Sequence, residues 1–463
     1  MYMQIISKNI RKGIKGIPKN LLTKFKNDKN LNQAIKCSLP LLQKYKKEIN
    51  LQENIINFYN SDAIVPYNPL YAKGPWIISD NGAVLYDVGG YGMLGFGHSP
   101  NWASDILSKP HVMANIMTPN KIQKLFTDTL KKKIGINRNN DCPYSHFAFL
   151  NSGSESMELA TRISDINNYD KKSFFIVLKN SFHGRTHNAA TISDSSMKNY
   201  KKYLNSFDNI PVKTVEINDV NYLEKTFNQI IKNNYVKAVI MEPVMGEGNP
   251  GIELDPNFYR MSRELTYNNN SDLIIDSVQA GIRTNGYLSV VDYPNLKNEK
   301  PPDMEIFSKA INAGQYPLSV LAVTDKIAKR FKTGIYGNTM TGNPKALEIG
   351  YETLKKINNK IIKNIQKKGI VFKNMLKELE KKYPEIVSHV TGKGLLLALH
   401  INHKYKVDDY KGLEYICREN GLNVIHGGEN ALRFTPHFLI TNKEIELIKN
   451  ILEISIEQLK NKY

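Results

Sequence analysis

With 463 residues, 41% of them hydrophobic and 23% charged, the chain is long enough for two or three domains around a large core. It contains no run of about 18 apolar residues, so no membrane-spanning helix is expected, and its three cysteines (Cys37, Cys142, Cys417) are too few and too scattered for a disulfide framework or a metal knuckle. A net charge of +19 raises nucleic acid and membrane surfaces as partners, but the lysines are spread along the whole chain without a basic stripe or recognition motif, so neither is expected.

Residues 1–60 read as a basic helical extension. Between Met1 and Asn27 stand seven basic residues and no acid, with Ile5, Ile6, Ile10, Ile14 and Ile17 at helix-like spacing. Such a start suits an organelle-targeting peptide, a surface-binding helix or a solvated helix packed on a subunit edge. It is rich in Lys rather than Arg, so the cytoplasm is the first expectation and an organelle the alternative. Within residues 61–110, the runs around Trp76 and Leu85 flank Asp80-Asn81-Gly82, a strong hairpin signal. The next stretch, Gly90-Tyr91-Gly92-Met93-Leu94-Gly95, matches the dinucleotide fingerprint G-x-G-x-x-G. The residues after it, Phe96 to Pro100, do not open a helix, which argues against a nicotinamide site.

From about residue 145, strand-like and helix-length runs alternate. The strands expected are His146 to Leu150, Phe174 to Leu178, Thr214 to Ile217, Val236 to Glu242, Leu273 to Asp276, Glu305 to Phe307 and Leu318 to Val323. This rhythm defines an α/β fold with a mostly parallel sheet, covered on both faces and binding ligands at the carboxyl ends of its strands. Chemistry-bearing residues sit at those ends. Gly153 and Ser154 follow the first strand, with Ser154 as cap of a helix whose inward face is Met157, Ala160 and Ile163; backbone N–H groups and a hydroxyl there suit a phosphate. Phe182 follows the second strand and can stack on a planar ring, and Arg185 beside it can hold a carboxylate. Glu247 lies in the loop after Met241-Glu242-Pro243. Asp276 and Gln279 end Asp272-Leu273-Ile274-Ile275-Asp276-Ser277-Val278-Gln279, and Lys309 ends Met304-Glu305-Ile306-Phe307-Ser308-Lys309.

A lysine at a buried strand end is sheltered enough to lose its proton and act as a nucleophile, for instance as a Schiff base. A carboxylate at a neighbouring strand end is what pyridoxal phosphate needs to keep its pyridine nitrogen protonated. Beyond Lys309 come Tyr336-Gly337-Asn338-Thr339-Met340-Thr341-Gly342-Asn343-Pro344 and then Lys-rich amphipathic helices. The large domain is therefore expected over 111–345 and a smaller α+β domain over 346–463. In the latter, Arg433 stands inside the strand pattern Ala431-Leu432-Arg433-Phe434, where a buried guanidinium needs an anion.

Asp276 to Gln279, Ser308-Lys309-Ala310 and Tyr336 to Pro344 resemble the signatures of class III, ornithine-type aminotransferases, which belong to the fold-type I pyridoxal phosphate enzymes. The resemblance runs from about Tyr67 to the C-terminus. It implies a fold-type I architecture, pyridoxal 5'-phosphate on Lys309, Asp276 at the ring nitrogen, Gln279 at the phenolic oxygen and Phe182 stacked on the ring. It also implies that Arg185 and Arg433 bind substrate carboxylates, that Glu247 screens Arg433 in one half of the reaction, and that Tyr91 and Tyr67 line the substrate entrance. Thr339 would reach the cofactor phosphate of the neighbouring subunit, which makes the protein a homodimer with shared sites. The implied reaction moves an amino group from an amino acid or ω-amino donor to a 2-oxo acid such as 2-oxoglutarate; the same cofactor motifs also serve aminomutases, racemases and decarboxylases. Two positions depart from the pattern: Ser277 stands where the family usually has Glu, and Met245 where it often has Gln.

Overall fold

The protein, described here from a computed structural model, is characterised over residues 14–44, 56, 67–112, 118–166, 172–205 and 210–462. Three strands open the described core: β1 (Tyr67–Lys73), β2 (Trp76–Ser79) and β3 (Val84–Asp87). β2 and β3 pair antiparallel around the expected hairpin, whose Gly82 has φ +85°. The middle of the chain supplies β4 (His146–Leu150), β5 (Ser173–Leu178), β6 (Val212–Val215), β7 (Tyr235–Met241), β8 (Asp272–Asp276), β9 (Met304–Phe307) and β10 (Ser319–Val323). These form one sheet in the order β4-β10-β9-β8-β7-β5-β6.

Pairing is parallel from β9 through β8, β7 and β5 to β6, while β10 runs antiparallel to both β9 and β4. The reason is the connection. Long connections separate the parallel strands, helical except for the loop-rich 277–303 between β8 and β9, whereas 308–318 is short and holds only the single helical turn Lys309–Asn312. β6 begins and ends two residues before the expected Thr214 to Ile217. Asn218 turns there at φ +65°, and Asp219 caps the next helix by accepting from Tyr222 N.

Helix Gly153–Asp165 covers one face of the sheet, packing Met157, Ala160 and Ile163 on Phe175, Ile274 and Ile306. Helices Val220–Ile231 and Pro256–Asn268 supply Leu223, Phe227 and Phe258 to the other core. Being buried on both faces explains why β7 and β8 read as nearly continuous apolar runs.

After the long helix Asn359–Lys382 come β11 (Val387–Lys393), β12 (Leu396–Ile401), β13 (Leu422–Asn423), β14 (Ile425–Gly427) and β15 (Ala431–Phe434). Four of them make a sheet ordered β11-β12-β15-β14, and β13 leaves to join β3 in a sheet ordered β1-β2-β3-β13. Much of the expected N-terminal helical region, with Ile5, Ile6 and Ile10, lies outside the described residues. Its described part carries helices Lys19–Leu22 and Lys29–Lys44 and is packed down, with Ile17, Phe25 and Leu31 buried. Phe25 meets Trp76 edge-on at 5.2 Å, and Trp76 Nε1 donates to Asp28 Oδ1 at 3.2 Å. No helix among the described residues is long and apolar enough to cross a membrane.

Candidate active site

The carboxyl ends of β5, β7, β8 and β9 open onto a cavity of about 400 Å³, lined among others by Gly153, Ser154, Phe182, Asp276, Gln279 and Lys309. Lys309 sits two residues beyond the end of β9 in a left-handed conformation, φ +36°, which costs a non-glycine residue energy and marks a position held by its surroundings. The clamp is visible: Ser308 Oγ and Asn312 Nδ2 both donate to Leu318 O, at 2.8 and 3.1 Å. Desolvation, with help from the Arg433 charge, pushes the Lys309 amine down to about 8, against the pull of Glu247, Asp276 and Glu242.

That value has a kinetic signature. In protein stripped of cofactor, covalent capture of an aromatic aldehyde by Lys309 is expected to speed up about tenfold per pH unit and level off near pH 8. An ordinary lysine would go on accelerating to about pH 10.4. Absorbance stopped-flow across pH 6–11 reads the difference.

Asp276, 5% exposed, ends β8. Its Oδ2 lies 2.8 Å from His183 Nδ1, and Oδ1 accepts from Val278 N at 3.1 Å. Glu242 directly follows β7, buried, accepting from Phe182 N at 3.2 Å and Gly246 N at 2.9 Å. Burial and the neighbouring Asp276 charge push it up to about 7 although His183 opposes them. Gln279 is buried with Oε1 unpartnered among the described residues, as is Nε2 of His183. Buried polar atoms are rarely left so unless a ligand meets them.

Ser154 is not the helix cap. Ser152 is, its hydroxyl accepting from Glu155 N, because the chain turns helical already at Gly153. Ser154 Oγ instead accepts from Arg185 N at 3.1 Å. Gly184 makes that approach possible: at φ +128°, a Cβ there would stand 2.4 Å from Ser154 Oγ.

Arg433, wholly buried on β15, donates from Nη1 to Glu247 Oε2 at 2.7 Å and to Gly246 O at 2.9 Å. Its Nε and Nη2 have no partner among the described residues. Burial raises Glu247, but Arg433 and Lys309 outweigh it and hold the carboxyl below its ordinary value. The Tyr91 ring lies 5.9 Å from the Arg433 guanidinium, with Tyr91 at φ +51°.

Two expected residues, Arg185 and Thr339, stand apart from the cavity, and a third, Tyr67, cannot be placed against it. Arg185 is exposed, its guanidinium 5.5 Å over the Phe182 ring. Thr339 is exposed in a turn whose Gly337 has open space where a Cβ would go. Tyr67 begins β1, but its side chain lies outside the described atoms. Two residues were missed, His183 and Glu242. For Glu242 the signal was the one used for Asp276, a titratable group directly after an apolar strand; His183 lies five residues beyond β5, in the loop that carries Phe182.

This donor set fits pyridoxal phosphate. It offers an amine of lowered pKa, a buried carboxylate, an unpartnered amide oxygen, an aromatic face and a helix N-terminus that begins Gly-Ser. The architecture is that of solved fold relatives. Ornithine aminotransferase from Toxoplasma gondii ME49 superposes with TM-score 0.73 at 22% identity, covering 92% of this chain and 96% of that one. Acetylornithine aminotransferase from Elizabethkingia anophelis gives 0.70 at 24%, covering 93% and 100%. The chain thus has the fold of these aminotransferases, with a cavity whose lining fits pyridoxal phosphate. The family described as "Aminotransferase class-III" matches residues 59–456, and the chain belongs to it. Among curated relatives, the mitochondrial acetylornithine aminotransferase of Debaryomyces hansenii is 32% identical over 399 residues, 82% of this chain and 81% of that protein. Acetylornithine aminotransferase of Prochlorococcus marinus subsp. pastoris is 30% identical over 404 residues, 84% and 91%. The chain is thus a class III, pyridoxal phosphate-dependent aminotransferase, as its motifs imply.

Proposed function

We propose that this enzyme transfers the terminal amino group of N-acetylornithine, or of ornithine as a poorer donor, to 2-oxoglutarate. The observation that carries the acceptor is Arg433, held by Glu247 through one nitrogen while two further guanidinium nitrogens stay unpartnered beside Lys309. A guanidinium in that state meets a carboxylate with two parallel hydrogen bonds. The donor follows the two curated relatives described above, at 32% and 30% identity, both acetylornithine aminotransferases by name.

When bound, pyridoxal phosphate supplies an electron sink for the carbon bearing the amino group. The protein does the rest. Lys309 would hold the cofactor and, as a free amine, would take a proton from one carbon of the substrate and return it to another. Asp276, fixed by His183, would keep the ring nitrogen charged. Gly153 and Ser154 would hold the phosphate, Phe182 would offer its face to the ring and Gln279 would meet the phenolic oxygen. Glu247 neutralises Arg433 while the donor is bound and yields it to the 2-oxo acid; Tyr91 and Tyr67 shape the entrance, and Arg185 meets a second substrate carboxylate. Thr339, exposed in one chain, serves the partner's phosphate in a homodimer. Residues 61–110 complete the small domain 346–463, a reading supported by β13 lying beside β3. The unpaired thiols of Cys37, Cys142 and Cys417 suit a reducing compartment, and we place the protein in the cytoplasm.

The yellow protein, mixed with each candidate donor and no 2-oxo acid, should lose its visible absorption fastest with N-acetylornithine. Bleaching by neither that donor nor ornithine would sink the assignment. Arg433→Ala should raise the KM for 2-oxoglutarate about 10- to 100-fold, the worth of a lost charge-assisted pair, and leave the rate of donor bleaching within about threefold. Equal damage to both half-reactions would show that Arg433 is a structural ion pair instead.

A further inference from the structure

Behind the cavity lies a second buried carboxylate that the reaction does not use. Glu305, on β9, is 0% exposed and accepts a hydrogen bond from no cationic side chain among the described residues. Four neutral donors converge on it. Ser277 Oγ reaches Oε1 at 2.5 Å and Val290 N reaches the same oxygen at 2.9 Å. Ser289 Oγ and Tyr144 OH reach Oε2, the latter at 2.7 Å. A carboxylate offers about four acceptor sites, so this one is filled. Burial still pushes the group up to about 7, the donors pulling the other way.

The positions of those donors matter more than their number. Ser277 immediately follows Asp276, and Ser289 and Val290 end the loop that begins there. Both ends of the loop 277–290 are therefore tied to one side chain, whose own strand leads into Lys309. Two residues of that loop work at a distance. Gln279 turns its unpartnered Oε1 into the site. Arg283, fully buried, donates from Nη1 to Pro436 O at 2.6 Å and from Nη2 to Gly92 O at 3.1 Å, joining the loop to the segment after β15 and to the loop that carries Tyr91.

We infer that Glu305 is a positioning residue: by clasping Ser277, Ser289 and the Val290 amide it closes the loop 277–290 and sets Gln279 and Arg283 for the aminotransferase site. Closing a loop on one buried anchor removes the freedom that would otherwise blur both side chains. The inference rests on the cofactor reading only where Gln279 is concerned.

The test is hydrogen–deuterium exchange of Glu305→Gln, with and without cofactor, beside Tyr144→Phe. The glutamine keeps the shape but brings an N–H donor against groups that all donate. The phenylalanine removes a donor to the same carboxylate from outside the loop. Amides of Gly281, Ile282, Thr284 and Gly286, all hydrogen-bonded within the loop, should exchange at least about tenfold faster in Glu305→Gln. Those of β5 and β7 should not change, and Tyr144→Phe should move the loop amides less than about threefold. The cofactor dissociation constant should rise at least about tenfold in Glu305→Gln alone. Loop amides that keep the parent rate, or that quicken no more than the whole sheet, would overturn the clasp. If Glu305→Gln does not fold, Ser289→Ala unties one end of the loop, and the same selective quickening is required of it. A parent protein that takes up no pyridoxal phosphate would sink the cofactor reading and leave the exchange comparison standing.

Discussion

Lys309→Ala is expected to lower turnover by roughly 10⁴-fold or more, because one side chain acts both as nucleophile and as proton carrier. No other amine lines the cavity among the described residues. Neighbouring lysines cannot substitute, since the amine at 309 is placed by the Ser308 and Asn312 clamp and brought to about 8 by desolvation. Steady-state turnover and single-turnover donor bleaching both read the loss. Residual activity above about one hundredth of the parent's would mean that the proton is carried elsewhere. The same residue taxes the fold. An amine lowered from 10.5 to about 8 opposes folding fully below pH 8, because the folded state binds its proton more weakly than the unfolded chain does. The opposition fades as pH rises from 8 to 10.5. Cofactor-free Lys309→Met should therefore melt above the cofactor-free parent at pH 7, and the gap should close toward pH 10.5. A gap that widens with pH would contradict the lowered amine.

How much of this was legible in the chain depends on whether the signal was local. The ends of β8 and β9 announced Asp276 and Lys309, since an apolar run that stops at a charged residue is a pattern within ten positions. The antiparallel β10 was less plain. Its strand run is clear, but its direction is set by the shortness of 308–318, which a count of strands and helices passes over. Ser152 and Ser154 were interchanged as cap because both are serines just before the same apolar stripe, and helix ends are uncertain by a residue or two. Glu305 was hidden altogether. It reads as one polar residue within a strand run, and its partner Tyr144 stands 161 positions away. Arg185 and Thr339 are a different case, since both are exposed in the single chain and the roles expected of them need a substrate or a second copy. Local chemistry is readable from sequence; convergence from distant segments is not.

Asp276→Asn is expected to cost turnover about 10²- to 10³-fold, nearly as much as Asp276→Ala, although it keeps the shape of the side chain. Its amide oxygen can still accept from His183, whose Nδ1 lies 2.8 Å from the native carboxylate. What asparagine lacks is the charge, and buried fixed charges facing a developing charge account for losses of that size. The arrangement around Asp276 points to charge rather than packing. Glu242 is a second carboxyl close by, and its rise to about 7, owed to burial and partly to Asp276, lets it carry a proton near neutrality. Removing the Asp276 charge should therefore also lower Glu242, although burial still holds it up, and any limb near 7 in the pH profile should move to lower pH in the variant. Cofactor retention separates the two explanations. If Asp276→Asn binds pyridoxal phosphate within about fivefold of the parent yet turns over at least about 100-fold more slowly, the carboxylate acts on the chemistry. If retention and turnover fall together, Asp276 is an anchor, and the charge argument is wrong.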